Sequence, residues 1–241
     1  MPTKVVYIHG MGGSTDDWRP VQARQPGLSL SPDWAAETPE ECAALLADAV
    51  LKHVSGSFAL CGYSMGGRIA LLAAAELVAR RKKPDGVILV STGLGFATQE
   101  ERDERIKTDE DWATLLEKDA KEFWEKWYAQ DLFASFHKLP EETREAWLEG
   151  KKAMDIKPLT KQLRRLGPGN HDDLMPLVRR LGAKELRVLY LVGELDKKYL
   201  ELAGKLKDCP GITVSTIPLA GHILPLEAPD ALAMRISKFV K

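Results

Sequence analysis

Residues 58–68 read Phe58-Ala59-Leu60-Cys61-Gly62-Tyr63-Ser64-Met65-Gly66-Gly67-Arg68, and this stretch decides the fold. Its first four residues are apolar and bounded by polar or glycine neighbours, as in a short strand buried on both faces. From Ser64 to Arg81 the apolar residues recur with helical spacing. Between the two lies Gly62-x-Ser64-x-Gly66, a serine on a sharp strand-to-helix turn. Small flanking residues let strand and helix approach closely. The serine takes a strained backbone conformation that leaves its hydroxyl exposed at the helix N-terminus. The bare pattern is short enough to arise by chance, but the strand before it, the helix after it and the added Gly67 make chance a poor explanation.

The rest of the chain repeats this rhythm. Lys4 to His9, Val87 to Ser91, Arg187 to Val192 and Thr213 to Pro218 read as further buried strands, with a shorter candidate at Gly27 to Ser31. Pro39 to Lys52, Tyr199 to Lys207 and Pro229 to Val240 carry helical periodicity. Such alternation implies an α/β fold with a mostly parallel central sheet flanked by helices. From Gln99 to Leu181 no strand is legible; the segment is charged, helical and holds Trp112, Trp124, Trp127 and Trp147, four of the six tryptophans. We read residues 99–181 as an all-helical cap inserted before the last two strands, over the strand ends where open α/β sheets bind ligands. Residues 1–98 and 182–241 then form the core. A bundle with tryptophans as core filler would look similar, so only one or two of the four need line a pocket.

A serine on such a turn needs a histidine to exchange its proton and a carboxylate to orient the histidine. The order serine, acid, histidine along the chain is that of the α/β-hydrolase fold. Asp196 follows the strand Arg187 to Val192, and His222 follows Thr213 to Pro218, so both sit at strand C-terminal ends with Ser64. Glu194 is the rival acid, but Asp196 stands where the loop turns into a helix. His9 belongs to a glycine-rich loop, His53 to a helix, and His137 and His171 to the cap. An oxyanion site needs backbone N–H groups. One is expected at Met65 and one in His9-Gly10-Met11-Gly12-Gly13, at Met11. That loop lacks the lysine of a phosphate-cradling loop and the spacing of a dinucleotide fingerprint.

Bulk properties narrow the partners. With 34 basic and 35 acidic residues the formal net charge is −1, so no global field attracts nucleic acid or an anionic membrane. Cys42, Cys61 and Cys209 are too few and scattered for a disulfide framework or a metal site. The start of the chain runs directly into a strand, without the apolar region of a signal peptide. We therefore expect a cytoplasmic protein acting on a small molecule, with neither metal nor organic cofactor.

Several segments together resemble one family within this fold, 2-succinyl-6-hydroxy-2,4-cyclohexadiene-1-carboxylate synthase, a menaquinone-pathway enzyme that eliminates pyruvate from its substrate. They are GYSMGGR (Gly62 to Arg68), GELDKKY (Gly193 to Tyr199), AGHILPLEAP (Ala220 to Pro229), HGMGGSTDDW (His9 to Trp18) and, in the cap, ERDERIKTDEDWA (Glu101 to Ala113), KWYAQDLFASF (Lys126 to Phe136) and LRRLGPGNHDDL (Leu163 to Leu174). The triad motifs are shared across the fold, whereas the cap segments are more specific. The resemblance implies a lyase in which Ser64 acts as base, relaying its proton to His222 while Asp196 holds the imidazole.

It also implies a cationic pocket for a substrate with three carboxylates, in which Arg68, Arg105, Trp127 and Tyr63 match substrate-binding positions. Arg68 has independent support, lying one helical turn beyond Ser64 on the same face. Arg105, amid Glu101, Arg102, Asp103 and Glu104, would otherwise read as part of a solvated face. Two departures stand out. The third family arginine is replaced near Lys151, which keeps the charge but lacks the bidentate fork. No D-x-x-G-H-G segment follows the second strand; Leu28 to Pro39 is terse instead. The competing enzyme class is a serine hydrolase (carboxylesterase, thioesterase or C–C bond hydrolase) with Ser64 as acylated nucleophile. A non-catalytic binding protein fits an intact serine, acid and histidine least well.

Overall fold

Six parallel strands carry the architecture: β1 (Lys4–Ile8), β2 (Gly27–Leu30), β3 (Phe58–Tyr63), β4 (Gly86–Val90), β5 (Arg187–Gly193) and β6 (Ile212–Ile217), in the order β2-β1-β3-β4-β5-β6. The computed structural model describes residues 3–184 and 186–241. Every residue of β3 and β4 is buried, as continuous apolar runs such as Gly-Val-Ile-Leu-Val require when both faces are covered. The candidate strand at Gly27 is present and pairs with β1 at the sheet's edge. Because the order turns back at the β1/β3 pair, the loops leaving these two strands diverge and open a crevice at the strand ends.

Alternate residues feed two cores. Val6, Ile8, Leu60, Val87 and Leu89 share a core with α2 (Pro39–His53) and α3 (Met65–Ala79), while Val5, Tyr7, Cys61, Ile88, Val90 and Leu189 face the opposite layer. The second layer includes the short α1 (Arg19–Gln22), part of the helical block between β4 and β5, and, toward the C-terminus, the short α10 (Leu224–Glu227) and α11 (Pro229–Val240).

That block comprises α4 (Gln99–Lys118), α5 (Ala120–Tyr128), α6 (Glu141–Lys152), α7 (Ile156–Leu166) and α8 (Met175–Lys184). Its first helix starts on a capping box. Thr98 Oγ1 accepts from the Glu101 N–H, and the Glu101 carboxylate accepts from the Thr98 N–H. Arg164 of α7 grips both Glu110 and Glu117 of α4, fixing two cap helices side by side. The last helix behaves differently: α8 buries Val178 and Leu181 in the sheet's own core, beside β5. The helices over the strand ends are thus α4 to α7, and α8 belongs to the sheet layer. The remaining helix, α9 (Lys197–Leu206), follows β5.

Candidate active site

Ser64 occupies the turn between β3 and α3 with φ 53° and ψ −116°, a left-handed conformation that a serine adopts only at a cost of about 1–3 kcal/mol. Its neighbours hold it there. The Ser64 N–H donates to Val90 O at 2.9 Å, and a Cβ on Gly66 would lie 2.2 Å from His9 O, so only glycine fits where α3 passes the first strand's loop. The Ser64 hydroxyl caps no backbone group of the helix and remains available for chemistry.

Two loops bring its partners. His222 Nε2 lies 3.4 Å from Ser64 Oγ, and His222 Nδ1 lies 2.8 Å from Asp196 Oδ2. Both residues are almost fully buried, at 2% exposure each. The Asp196 and His222 loops can touch because a Cβ on Gly193 would fall 2.3 Å from both Ala220 O and Gly221 O. Asp196 also caps α9, accepting from the Tyr199 N–H. The imidazole is held by rings on several sides: Tyr199 stacks at 5.0 Å, Phe133 meets it edge-on at 5.7 Å and Tyr63 lies at 5.5 Å. Below it, the Glu227 carboxylate accepts the N–H of Gly221 at 2.7 Å and of Ile223 at 2.8 Å, clamping the backbone on both sides of His222. The rival Glu194 instead accepts the N–H of Leu219, away from the imidazole.

Ser64 and His222 open into a cavity of 320 Å³ with Met11, Met65, Arg68, Arg105 and Trp127 on its walls. Met65 is the first residue of α3, so its N–H has no acceptor within the helix. The Met11 loop is shaped by His9, which is 2% exposed. His9 Nδ1 donates to Gly10 O at 2.9 Å while Nε2 accepts from the Trp34 indole at 3.1 Å. Burial pushes the His9 pKa down to about 4, so the ring is neutral. Trp34 comes from the terse stretch after β2, which closes over His9. Of the four cap tryptophans, Trp112 and Trp127 line the cavity, packed edge-to-face at 5.3 Å.

Arg68 is buried; among the described residues it donates only to Leu166 O at 3.1 Å, and its Nε has no partner. Burial and then Arg105 lower its pKa to about 10, so the guanidinium stays charged at neutral pH. Arg105 reaches the cavity from α4 and pairs with Asp109 at 2.9 Å. Burial raises the Asp109 pKa, against the pull of Arg105.

Two expectations fail on geometry. Lys151 lies beneath Trp147, 3.9 Å from the ring centre, and its ammonium contacts both Asp17 oxygens at 2.9 and 3.1 Å. It lines a separate pocket, so its charge is neutralised away from Ser64. Tyr63 packs on His222 and beside Gly10 rather than lining the cavity.

The model of the alpha/beta hydrolase family matches residues 5–235. This chain belongs to that family. Within the alpha/beta hydrolase family it is distantly similar to proteins of one name. A putative 2-succinyl-6-hydroxy-2,4-cyclohexadiene-1-carboxylate synthase of Haemophilus influenzae is 29% identical over 98% of this chain and 96% of its own length. A 2-succinyl-6-hydroxy-2,4-cyclohexadiene-1-carboxylate synthase of Photorhabdus laumondii is 28% identical over 90% of this chain and 78% of its own. Among solved structures, MenH from S. aureus superposes with a TM-score of 0.88, at 24% identity, covering 98% of this chain and 92% of that one. The six-stranded parallel sheet with its helical insertion before β5 and β6 is therefore the hydrolase fold.

Sequence reasoning missed one cation of this alpha/beta hydrolase site. Lys198, two residues after Asp196, lines the Ser64 cavity. Its pKa is lowered by burial, then by Arg105, with Arg68 also contributing. The signal was legible: Lys197 and Lys198 occupy the first turn of α9, where the helix dipole disfavours positive charge.

Proposed function

We propose that this chain is a carbon–oxygen lyase. It eliminates pyruvate from 2-succinyl-5-enolpyruvyl-6-hydroxy-3-cyclohexene-1-carboxylate to give 2-succinyl-6-hydroxy-2,4-cyclohexadiene-1-carboxylate, a step of menaquinone biosynthesis. The observation that carries this reading is the wall of the Ser64 cavity. Arg68 and Lys198 face it with no carboxylate partner among the described residues, beside Arg105. A pocket for a neutral ester has no use for unpaired cations on its wall, least of all for Arg68, which is buried and whose desolvation is unfavourable.

In this reading Ser64 Oγ removes a proton from the substrate ring as His222 Nε2 accepts the hydroxyl proton, Asp196 holding the imidazole in the required tautomer. The C–H electrons form the new ring double bond, and the C–O bond to the enolpyruvyl group breaks. The departing enolpyruvate takes up a proton to become pyruvate. Backbone N–H groups of Met11 and Met65 and the cations stabilise charge developing on the substrate. Trp127 supplies an apolar wall. No acyl-enzyme forms.

The test is pyruvate release from the substrate generated enzymatically in situ, against the spontaneous background, for the wild type and Ser64→Ala, with an aryl ester offered in parallel. Fast release lost in Ser64→Ala supports the lyase. Background-level release together with Ser64-dependent ester cleavage overturns it in favour of a serine hydrolase.

A further inference from the structure

A second chamber of 380 Å³ adjoins the Ser64 cavity, lined by Phe96, Arg179 and Lys205 and by the acids Glu101, Asp173 and Glu201. Five residues line both spaces: Arg68, Arg105, Pro168, Lys198 and Tyr199. Three of the five are cations, so positive charge gathers at the junction. Arg105 is paired with Asp109. Among the described residues Arg68 and Lys198 have no ion-pair partner. Like charges held this close repel one another, and Lys198 in addition opposes the dipole of its own helix. Such an arrangement is unfavourable in the empty protein and becomes favourable when an anion sits between the cations. Lys198 is partly open to solvent, but the start of its helix is anchored. Asp196 caps α9 while bonded to His222, and Tyr199 stacks on the same imidazole, so the backbone that carries Lys198 is held in fixed relation to the reacting groups.

We propose that Lys198 is a substrate-binding residue, taking a carboxylate of a polyanionic substrate at the junction of the two chambers, opposite the one held by Arg68. This deepens the anionic-substrate reading above and supplies the third cation that Lys151 does not. The chemistry recognised is a rigid ring bearing two or more carboxylates. One of them sits in the Ser64 cavity and another reaches the junction.

The experiment uses benzene-1,3,5-tricarboxylate as probe in titration calorimetry, which needs no turnover, with the lyase assay alongside. Lys198→Gln is expected to weaken probe binding about tenfold and to raise the lyase KM by about the same factor with kcat little changed, as loss of a charge-assisted contact to a ground-state carboxylate does. Lys198→Arg restores most of both. Lys205→Gln, in the outer chamber alone, changes neither.

The groups facing Lys198 are Arg68, Arg105, Asp109 and Asp196, and its lowered pKa sets the sign of a pH effect. Probe affinity falls as pH rises, beginning below the ordinary lysine range, and Lys198→Arg removes that limb. Unchanged probe binding in Lys198→Gln, or no probe binding by the wild type, overturns the assignment. Probe binding that depends on Lys198 without any pyruvate release refutes the lyase and leaves Lys198 an anion-binding residue.

Discussion

Acidification should unfold this protein through two histidines that the fold keeps neutral. His9 and His171 are both buried, and burial pushes each pKa from 6.5 down to about 4, with Arg68 adding to the effect at His171. The indole of Trp34 is a donor only, so His9 Nε2 must offer a lone pair to it; a proton there would set N–H against N–H. The sign follows from linkage. Above the unfolded value neither state binds the proton. As pH falls below 6.5 the unfolded chain takes it up and the native protein does not, so stability is lost until pH reaches about 4. The slope is about 1.4 kcal/mol per pH unit. Between about pH 7 and about pH 5 each histidine therefore removes about 2 kcal/mol, a large share of a typical total of about 5–15 kcal/mol.

The assay is urea unfolding at both pH values for the wild type and His9→Asn. The variant starts less stable, having lost ring packing against Trp34. Its loss on acidification should nevertheless be about 2 kcal/mol smaller. Equal losses in the two proteins would refute the claim that His9 is held neutral by its surroundings.

Glu227 does not line the Ser64 cavity but clamps the backbone around His222. Glu227→Ala should lower kcat by about 10–100-fold with KM nearly unchanged, as a displaced imidazole does, measured by steady-state kinetics. Lys151→Met leaves Asp17 without its buried partner and should cost about 3 kcal/mol in chemical denaturation while leaving KM unaltered. Arg68→Met should do the reverse. It removes a buried cation with one hydrogen bond, raising Tm by about 2–4 °C per kcal/mol gained while abolishing turnover.

What the sequence discloses about this site depends on how local each constraint is. The Ser64 turn is legible because its requirements lie within a few residues: a buried strand, two glycines at a close approach, and a helix. Asp196 and His222 are legible from position alone, since parallel strands deliver their C-terminal ends to one edge and chain order does the rest. Tyr63 misleads because its ring is taken up by packing on His222 and against the Gly10 loop, contacts that adjacency to Ser64 does not report. Lys151 misleads for a different reason. The ion pair that claims it spans 134 residues, from Asp17 in the loop after β1 to the cap, and nothing near either residue reports the other. The α8 helix has the same apolar spacing whether it roofs a pocket or backs a sheet, so only packing against β5 separates it from the cap.

Lys198 is the instructive case, because its signal is a local rule broken. Helix starts favour acids, and α9 opens on Asp196 followed by two lysines with no acid in its first turn. A helix whose purpose was stability would gain from Glu at residue 198. The carboxylate would complement the dipole and pair with Arg68 and Arg105, the charges now felt across the junction. Lys198→Glu should therefore raise Tm, and it should also eliminate binding of an anionic probe, because it fills internally the place that the proposal reserves for substrate. A stabilised variant that still bound benzene-1,3,5-tricarboxylate would show that the cations serve the fold and not the ligand. Local choices that disfavour the folded state concentrate where function requires them, and an unpaired lysine beside two arginines at a helix start is such a choice.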